Sequence, residues 1–394
     1  MTRRSALRLT RSLLATAPLL AAAAWLPATA SAQATTVEAV VRHYAQGVQA
    51  GYEDTLAGAL ALQKAIQAFA AQPSAKRLEA ARAAWLAARE WYGPTEAFRF
   101  YAGPIDDDKG PEGRINAWPL DESYIDGVKG EAASGIVANR KQPITKAALA
   151  KLNEKGGEEN IATGWHAIEF LLWGQDVNDA GPGNRSFEDF VDGKAPNADR
   201  RRQYLLAVAD LLVDDLRLLV AAWAPGTPKN YRARFEGEGL EALRKMVVGI
   251  GSLSRGELAG ERLEVAMNTQ DQEDEHSCFS DNTHRDVVLN AVGIENVWLG
   301  RYARRDGSVL QGPSLQALVA AKSPAIAEQT TRDIAASVAA AKAIQPPFDR
   351  EIVGGKDAAG RKRVQAVIDA LITQSKDLPQ AAAAVGVTRL TRTK

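Results

Sequence analysis

The chain has 394 residues with 48 basic and 48 acidic side chains, and no basic stretch in it suggests a nucleic-acid partner. Its single cysteine, Cys278, excludes an intramolecular disulfide, so the fold must be stabilised by its core. The composition is 46% apolar but only 6% aromatic. Alanine is abundant and loses no side-chain entropy in a helix, so the composition favours helices.

The first 32 residues have the pattern of an export signal. Arginines at positions 3, 4, 8 and 11 precede an apolar segment that is too short to span a bilayer, and Ala30-Ser31-Ala32 is a small-residue cleavage site. The arginine pair leaves the Sec and twin-arginine routes both open. Because Gln33 rather than a cysteine follows the cleavage site, we expect a soluble periplasmic protein and not a lipid-anchored one.

Apolar residues at helical spacing predict helices in the first third of the mature chain. Residues 37–71 and 74–91 predict two antiparallel helices, with Ser74 as the N-cap of the second. The periodicity fails over residues 93–130, which predict a long loop with aromatic anchors. Helical character returns over residues 144–153 and 160–173.

The second part of the chain also predicts helices and no strand. Asn197 is placed to cap an amphipathic helix that ends at Trp223, and an apolar stripe follows at residues 240–250. Ser254 and Glu257 have capping-box spacing, which predicts the start of a helix, and Thr283 and Asp286 repeat that spacing. The remaining predicted helices cover residues 287–302, 314–320, 326–343 and 357–373.

The fold class that follows is all-α. We expect two helical-bundle halves packed together with long irregular loops, one formed by residues 33–190 and the other by residues 191–394.

His166 and Glu169 are the most informative pair in the sequence. They lie three positions apart in an otherwise apolar helix over residues 165–173. A buried imidazole or carboxyl group is costly unless something pairs with it. The spacing puts the two Cβ atoms roughly 5–6 Å apart, which allows either a mutual hydrogen bond or a shared metal ion.

Two further polar clusters stand out. Residues 271–286 contain two of the four histidines. This run is either a solvated charge run with a helix cap or part of a site. The site alternative rests on Glu273 and His276, which have the spacing of carboxylate-bridged metal sites. Glu96 and Arg99 lie amid aromatic residues, which is typical of a buried ion pair. His43 has no acidic neighbours in sequence and is expected to be a packing or surface histidine.

Residues 164–169 resemble the Gly-x-His-x-x-Glu motif of the imelysin family, which includes an insulin-cleaving membrane protease and iron-regulated bacterial envelope proteins. Further segments look like the iron-regulated branch, at residues 103–106, 115–122, 171–176, 251–254, 260–262 and 276–286. The resemblance implies an all-helical fold of two bundle-like halves and an envelope location. It also implies a site around His166 and Glu169, near where the halves meet, with Gly164 as the motif glycine.

A metal site here needs His166, Glu169 and one or two donors from other segments, with Glu96, Asp281 and His284 as the candidates. Mixed imidazole and carboxylate ligands suit iron or zinc better than cuprous copper, so the expected ion is divalent or ferric. Other predicted ligand-binding residues are Arg99, Asp121, Asp274, His276 and Arg285.

Three function hypotheses follow. The preferred one is an exported imelysin-like protein that binds a metal ion or small ligand in bacterial iron acquisition, with envelope iron-transport components as partners. The alternative is a metallopeptidase of the imelysin type. Against it, Ala167 follows His166, and Phe170 stands where both zinc-peptidase motifs carry their second histidine. The third is a structural or partner-binding envelope protein in which the pair is only packed in a core.

Overall fold

The computed structural model describes residues 35–177 and 181–391, so the predicted export signal and its cleavage site lie outside the described residues. The described residues belong to one compact unit that begins at Thr35. None of the helices within them combines the length and the hydropathy needed to cross a membrane.

The predicted all-α class is confirmed by the regular elements of the chain. In chain order, the α-helices are α1 (Val37–Ala71), α2 (Ala75–Tyr92), α3 (Glu112–Ile115), α4 (Glu122–Ile125), α5 (Gly135–Ala138), α6 (Lys146–Leu152), α7 (Gly164–Trp173), α8 (Ala198–Trp223), α9 (Tyr231–Phe235), α10 (Leu240–Ser252), α11 (Val265–Thr269), α12 (Thr283–Leu299), α13 (Leu315–Ala320), α14 (Pro324–Ala341), α15 (Asp349–Ile352) and α16 (Ala359–Ala384). Short 3-10 helices cover Gly93–Phe98, Phe187–Phe190 and Gln272–Asp274, and a π-helix covers Leu253–Glu264.

A short hairpin is the feature that the sequence pattern missed. Strands β1 (Arg301–Ala303) and β2 (Val309–Gln311) pair antiparallel, with Tyr302 opposite Leu310. Three residues a strand are too few for an alternating pattern to be recognised in the sequence.

The first two helices form the predicted hairpin and pack along each other. The Ser74 hydroxyl caps α2 by accepting a hydrogen bond from the backbone N–H of Arg77 at 3.4 Å. Helix α8 also packs along α1, and it contacts α7. The helix that follows the predicted boundary at residue 190 therefore packs on the N-terminal helices, and the division into two halves stays a prediction.

The capping box predicted at Ser254 is wrong. Helix α10, the π-helix and α11 follow one another without a break from residue 240 to residue 269. The Ser254 hydroxyl donates instead to the carbonyl of Ile250 at 2.6 Å, which is the back-bonding that a serine makes inside a helix. It also accepts a hydrogen bond at 2.8 Å from the side chain of Gln374, a fully buried residue of α16.

The long loop predicted over residues 93–130 begins with the first 3-10 helix, which is held between α10 and α12. An added Cβ at Gly249 of α10 would lie 2.8 Å from the carbonyl oxygen of Ala97, and one at Gly293 of α12 would lie 2.4 Å from that of Pro94. The two glycines therefore let both helices approach the backbone of this segment closely. Its Glu96 is carried into the interior, where it is 1% exposed.

Candidate functional site

His166 and Glu169 lie on α7, a helix that is buried along its whole length, as an all-round apolar pattern predicts. His166 Nδ1 is 2.9 Å from Glu169 Oε2, and the side chains are 1% and 0% exposed. The other carboxyl oxygen, Oε1, accepts from the backbone N–H and the hydroxyl of Ser280, at 3.0 and 2.6 Å. Both oxygens of Glu169 are thus occupied, whereas His166 Nε2 has no hydrogen-bond partner among the described residues.

A second unit of the same composition lies against the first. His276 Nδ1 is 2.7 Å from Asp286 Oδ2, and the Ser277 hydroxyl donates to that same oxygen at 2.5 Å. The imidazole rings of His166 and His276 have centroids 4.7 Å apart and planes at 72°. Two serine–carboxylate–imidazole units therefore meet ring against ring in the interior.

The two units differ in charge. Burial raises the pKa of Glu169 to about 8, and burial lowers the pKa of His166 well below its usual value, so burial favours the neutral form of both groups. Burial also lowers the pKa of His276 to about 4. Burial opposes ionisation of Asp286, but the guanidinium of Arg89 outweighs it and holds the pKa of that carboxyl well below its usual value. The second unit therefore carries one negative charge, which Arg89 balances across 2.9 Å.

The two units together form what we call the histidine centre. Asn116 connects this centre to a cluster of buried ion pairs. Arg89 Nη1 donates to Asn116 Oδ1 at 2.7 Å, and Asn116 Nδ2 lies 3.4 Å from His276 Nε2 and 3.5 Å from Glu96 Oε1. The other oxygen of Glu96 accepts from Arg262 at 2.5 Å. A continuous set of polar contacts thus leads from His276 to Glu96.

The geometry of the π-helix lets Arg262 contact both Glu96 and Glu257. Arg262 Nη2 also donates to Glu257 Oε1 at 2.8 Å, and these two residues lie five positions apart in the π-helix. In an α-helix, residues five apart would point about 140° away from each other. The wider winding of a π-helix, with i→i+5 hydrogen bonds, brings them to one side. Short π-helical insertions are frequent at functional sites.

Imidazole nitrogen is the group in this centre that fits a metal ion. His166 Nε2 is buried without a partner among residues 35–177 and 181–391, and its Nδ1 is held by a carboxyl, which is how proteins hold metal-ligating histidines. Both oxygens of Glu169 already have hydrogen-bond partners, and its role as a ligand stays a prediction. In the part of the chain that the structure describes, no three His, Cys, Asp or Glu side chains are grouped so that they could hold a metal ion.

A comparison with known protein families shows the family to which this chain belongs. A family model described as Imelysin, which carries a peptidase designation, matches residues 48–378. The chain belongs to the imelysin family. One relative is the Iron-regulated protein A of Synechococcus elongatus, which is 29% identical over 353 residues that cover 85% of this chain and 84% of the relative.

Two solved structures share the imelysin fold of this chain. One is a protein from Parabacteroides distasonis, provisionally assigned as an iron-regulated protein A precursor, with 20% identity, a TM-score of 0.69, and coverage of 91% of this chain and 97% of its own. The other is an imelysin-like protein from Psychrobacter arcticum, with 15% identity, a TM-score of 0.63, and coverage of 90% and 97%. At these identities, the likeness establishes the fold.

The residues proposed as metal ligands of this imelysin are only partly brought together. Glu96 reaches the centre through Asn116. Asp281 and His284 belong to the same polar run as His276, but His284 Nδ1 lies 3.1 Å from the backbone oxygen of Asp281. Within residues 35–177 and 181–391, no hydrogen bond or ion pair joins either side chain to His166 or Glu169. Their role as ligands stays a prediction.

The other predicted ligand-binding residues of this imelysin have local partners. Arg99 forms the expected ion pair with Glu96 at 2.9 Å and also contacts Glu112. Arg285 pairs with a glutamate of α2 at 2.7 Å. Asp121 caps α4, and Asp274 ends the third 3-10 helix. Only His276 of this set is part of the histidine centre, and binding by the others stays a prediction.

Several residues of the centre were missed by sequence reasoning. The capping-box interpretation of Asp286 is wrong, because its carboxylate binds Arg89, His276 and Ser277 instead of the helix start. One signal was present for Arg89, which sits among aromatic residues of α2 and lies 5.2 Å from the ring centroid of Tyr92. The missed residues are Arg89, Asn116, Arg262, Ser277, Ser280 and Asp286.

Gly164, the first residue of the imelysin motif, has a structural role. Its φ is +84°, and an added Cβ would lie 2.4 Å from the carbonyl oxygen of Ile115. Only glycine combines this backbone conformation with so close an approach. The start of α7 is thereby held against the residue that precedes Asn116.

We expect Gly164→Ala to lower the free energy of unfolding by on the order of 2–4 kcal/mol, because it adds left-handed backbone strain to a clash with a carbonyl group. Gly130→Ala is the matched control, since its φ is +92° but an added Cβ meets nothing within 4 Å. The control should lose only the strain of roughly 1–2 kcal/mol. Urea unfolding of both variants measures the difference, and equal losses would show that the approach to Ile115 does not matter.

Glu122 is a buried acid of the predicted loop, outside the histidine centre. It is 7% exposed, and its Oε2 accepts a hydrogen bond from the side chain of Gln175 while Oε1 has no partner among the described residues. Burial, with the neighbouring charge of Glu273, raises its pKa from 4.5 to about 8. Between pH 4.5 and about 8, the native state therefore holds a proton on Glu122 that the unfolded chain has released.

A raised native pKa contributes stability that is fully present below pH 4.5 and is lost as the pH rises through about 8. We expect Glu122→Gln to remove this contribution and flatten the decline in unfolding free energy across that window, by up to about 1.4 kcal/mol per pH unit. Urea titrations from pH 4.5 to 8.5 measure it, with the exposed Glu328→Gln as control. An unchanged slope in Glu122→Gln would contradict the assignment.

Proposed function

We propose that this chain is an exported imelysin-like protein that binds a metal ion, free or within a small chelate, in bacterial iron acquisition. The observation that carries the proposal is the buried Nε2 of His166, which has no hydrogen-bond partner in the described part of the chain while its Nδ1 is held by Glu169. A buried nitrogen lone pair or N–H without a partner costs free energy, so a ligand that engages this atom recovers that cost.

The choice of iron rests on two supports. A relative at 29% identity is named Iron-regulated protein A. Imidazole donors beside carboxylates also suit iron or zinc better than calcium or magnesium, which prefer oxygen alone. The export-signal pattern of residues 1–32 supports a periplasmic location, with envelope iron-transport components as partners.

In this proposal, each residue of the first unit has one task. His166 Nε2 binds the ion, Glu169 orients the imidazole through Nδ1, and Ser280 holds Glu169 through two hydrogen bonds. Ser280 also lines a surface cleft of about 550 Å³, together with Arg82 and Trp173. This cleft supports an approach of the ligand from the Ser280 side.

A metallopeptidase is the second candidate, and the peptidase designation of the family favours it. Hydrolysis requires a carboxylate that is free to activate water. The carboxyl groups of the centre, on Glu169, Asp286 and Glu96, all bind other side chains of this chain. Of their oxygens, only Oδ1 of Asp286 has no hydrogen-bond partner among the described residues, so hydrolysis would have to use this oxygen of a carboxylate that also pairs with Arg89.

We expect the untagged protein to bind Fe²⁺ or Zn²⁺ stoichiometrically, and His166→Ala to lose that binding because it removes the nitrogen donor. Glu169→Gln should weaken binding about 10–100-fold, since it perturbs only the residue that orients the ring. His43→Ala is the control, because His43 is a buried histidine whose Nε2 bonds to the carbonyl of Gly300, outside the centre. Equilibrium dialysis with metal analysis measures all four proteins. No binding by the parent protein would contradict the proposal.

The binding protein and the peptidase differ in one further outcome. We expect the metal-loaded protein to leave an unfolded polypeptide substrate intact over hours, because the carboxyl groups of the centre are buried and each already pairs with a histidine or an arginine. Gel analysis with and without a chelator is the measurement. Cleavage that the chelator stops and His166→Ala lacks would establish the peptidase instead.

A further inference from the structure

We infer that His276 supplies a second imidazole nitrogen to the ion bound by His166, so that the site is a two-histidine site built from the two serine–carboxylate–imidazole units. The inference rests on the proposed function and names a donor that lies outside the Gly-x-His-x-x-Glu motif. It follows from the similar hydrogen bonding of the two imidazoles and from the contact between their rings.

Each imidazole is held in the same manner. Nδ1 of His166 contacts a carboxyl oxygen at 2.9 Å, and Nδ1 of His276 contacts one at 2.7 Å. Each carboxyl is in turn held by a serine hydroxyl, at 2.6 Å from Ser280 and 2.5 Å from Ser277. A carboxyl on one ring nitrogen fixes the orientation of the ring and makes the other nitrogen a stronger donor.

In each unit, Nε2 is the ring nitrogen that does not contact the carboxyl group. That of His166 has no hydrogen-bond partner among the described residues. That of His276 has only the Asn116 amide at 3.4 Å, which is longer than a normal hydrogen bond. Arg89 donates to the other end of this amide, at Oδ1, and binding of the ion to His276 displaces the amide nitrogen from Nε2.

The contact between the rings is the geometric basis for a shared ion. Their centroids are 4.7 Å apart, and metal–imidazole bonds of about 2.0–2.1 Å place two nitrogens of one ion roughly 3 Å apart. Trp118 covers His276 from another side, with its ring centroid 5.8 Å away, and both histidines are at most 2% exposed. The pair is thus buried as a unit.

The donor count indicates the class of ligand. Two neutral nitrogens, with no third His, Cys, Asp or Glu converging on them in the described part of the chain, leave the other coordination positions to water or to groups that the ion brings. Nitrogen donors select first-row transition ions over calcium and magnesium. The site therefore takes a divalent transition-metal ion that keeps part of its own coordination shell.

The test counts the imidazoles on a bound Cu²⁺ ion, which binds nitrogen donors most tightly among the divalent ions of this series. The untagged protein is loaded with one equivalent of Cu²⁺, and electron spin echo modulation from the distal imidazole nitrogens gives the number of coordinated histidines. We expect two in the parent protein, one in His276→Ala, and two in the controls His43→Ala and His284→Ala. Zn²⁺ affinity should fall at least tenfold in His276→Ala.

Asp286→Asn is a second variant that keeps both histidines. Asp286 is a positioning residue in this inference, so we expect two imidazoles at saturating Cu²⁺ and a 10–100-fold weaker affinity for Zn²⁺. Urea unfolding of the metal-free variants checks that each is folded. The count in the parent protein depends on no variant, so a failure of His276→Ala to fold leaves the inference testable.

The outcomes separate this inference from the proposed function. One imidazole in the parent protein, lost in His166→Ala and retained in His276→Ala, would overturn the inference and leave His166 as a metal ligand. No ion bound at either histidine would overturn both. Two imidazoles, of which His276→Ala removes one, would support the two-histidine site.

Discussion

The ion pair between Arg89 and Asp286 is the interaction on which the interior of this protein depends. It joins α2 to the first turn of α12 across 2.9 Å, with both side chains 1% exposed. Removing one partner of such a pair leaves an uncompensated buried charge, which typically costs about 3–5 kcal/mol. Since Asp286 also holds His276 and Ser277, and Arg89 also holds Asn116, the pair orders most of the polar groups around the histidines.

Aromatic residues make this buried charge tolerable. The guanidinium of Arg89 lies 5.6, 5.2 and 5.8 Å from the ring centroids of Trp85, Tyr92 and Trp165. The indole N–H of Trp85 donates to the backbone oxygen of Trp165 at 3.0 Å, which fixes α2 against α7. The cation thus has π faces around it and a carboxylate in front of it, so its desolvation is offset by more than one interaction.

Local backbone irregularities bring the remaining groups to the centre. Gly164 allows α7 to approach the segment that carries Asn116, and glycines of α10 and α12 allow both helices to approach the segment that carries Glu96. The π-helix turns Arg262 and Glu257 to one side. Irregular geometry of this kind destabilises a fold unless the surrounding contacts compensate, and these three irregularities lie around one set of polar side chains.

The spacing of His166 and Glu169 has a consequence that bears on their roles. Residues three apart on one helix turn reach each other directly, and the imidazole takes one carboxyl oxygen while Ser280 takes the other. The same local geometry that made Glu169 a candidate ligand therefore makes it the partner of the histidine. In the proposed site, its contribution is the orientation of the ring.

The sequence by itself determined the helical class, the α1–α2 hairpin with its Ser74 cap, and the burial of the His166–Glu169 helix. These follow from apolar periodicity and from contacts within a few residues, which a linear pattern records. It also located the polar run that contains His276, but it could not pair that histidine with His166, because a separation of 110 positions carries no spacing rule. Asp286 shows the limit best, since the same spacing that caps a helix in one context sends the carboxylate to a buried arginine in another. Only the tertiary structure decided between these, because burial beside Arg89 makes the ion pair more favourable than a cap in water.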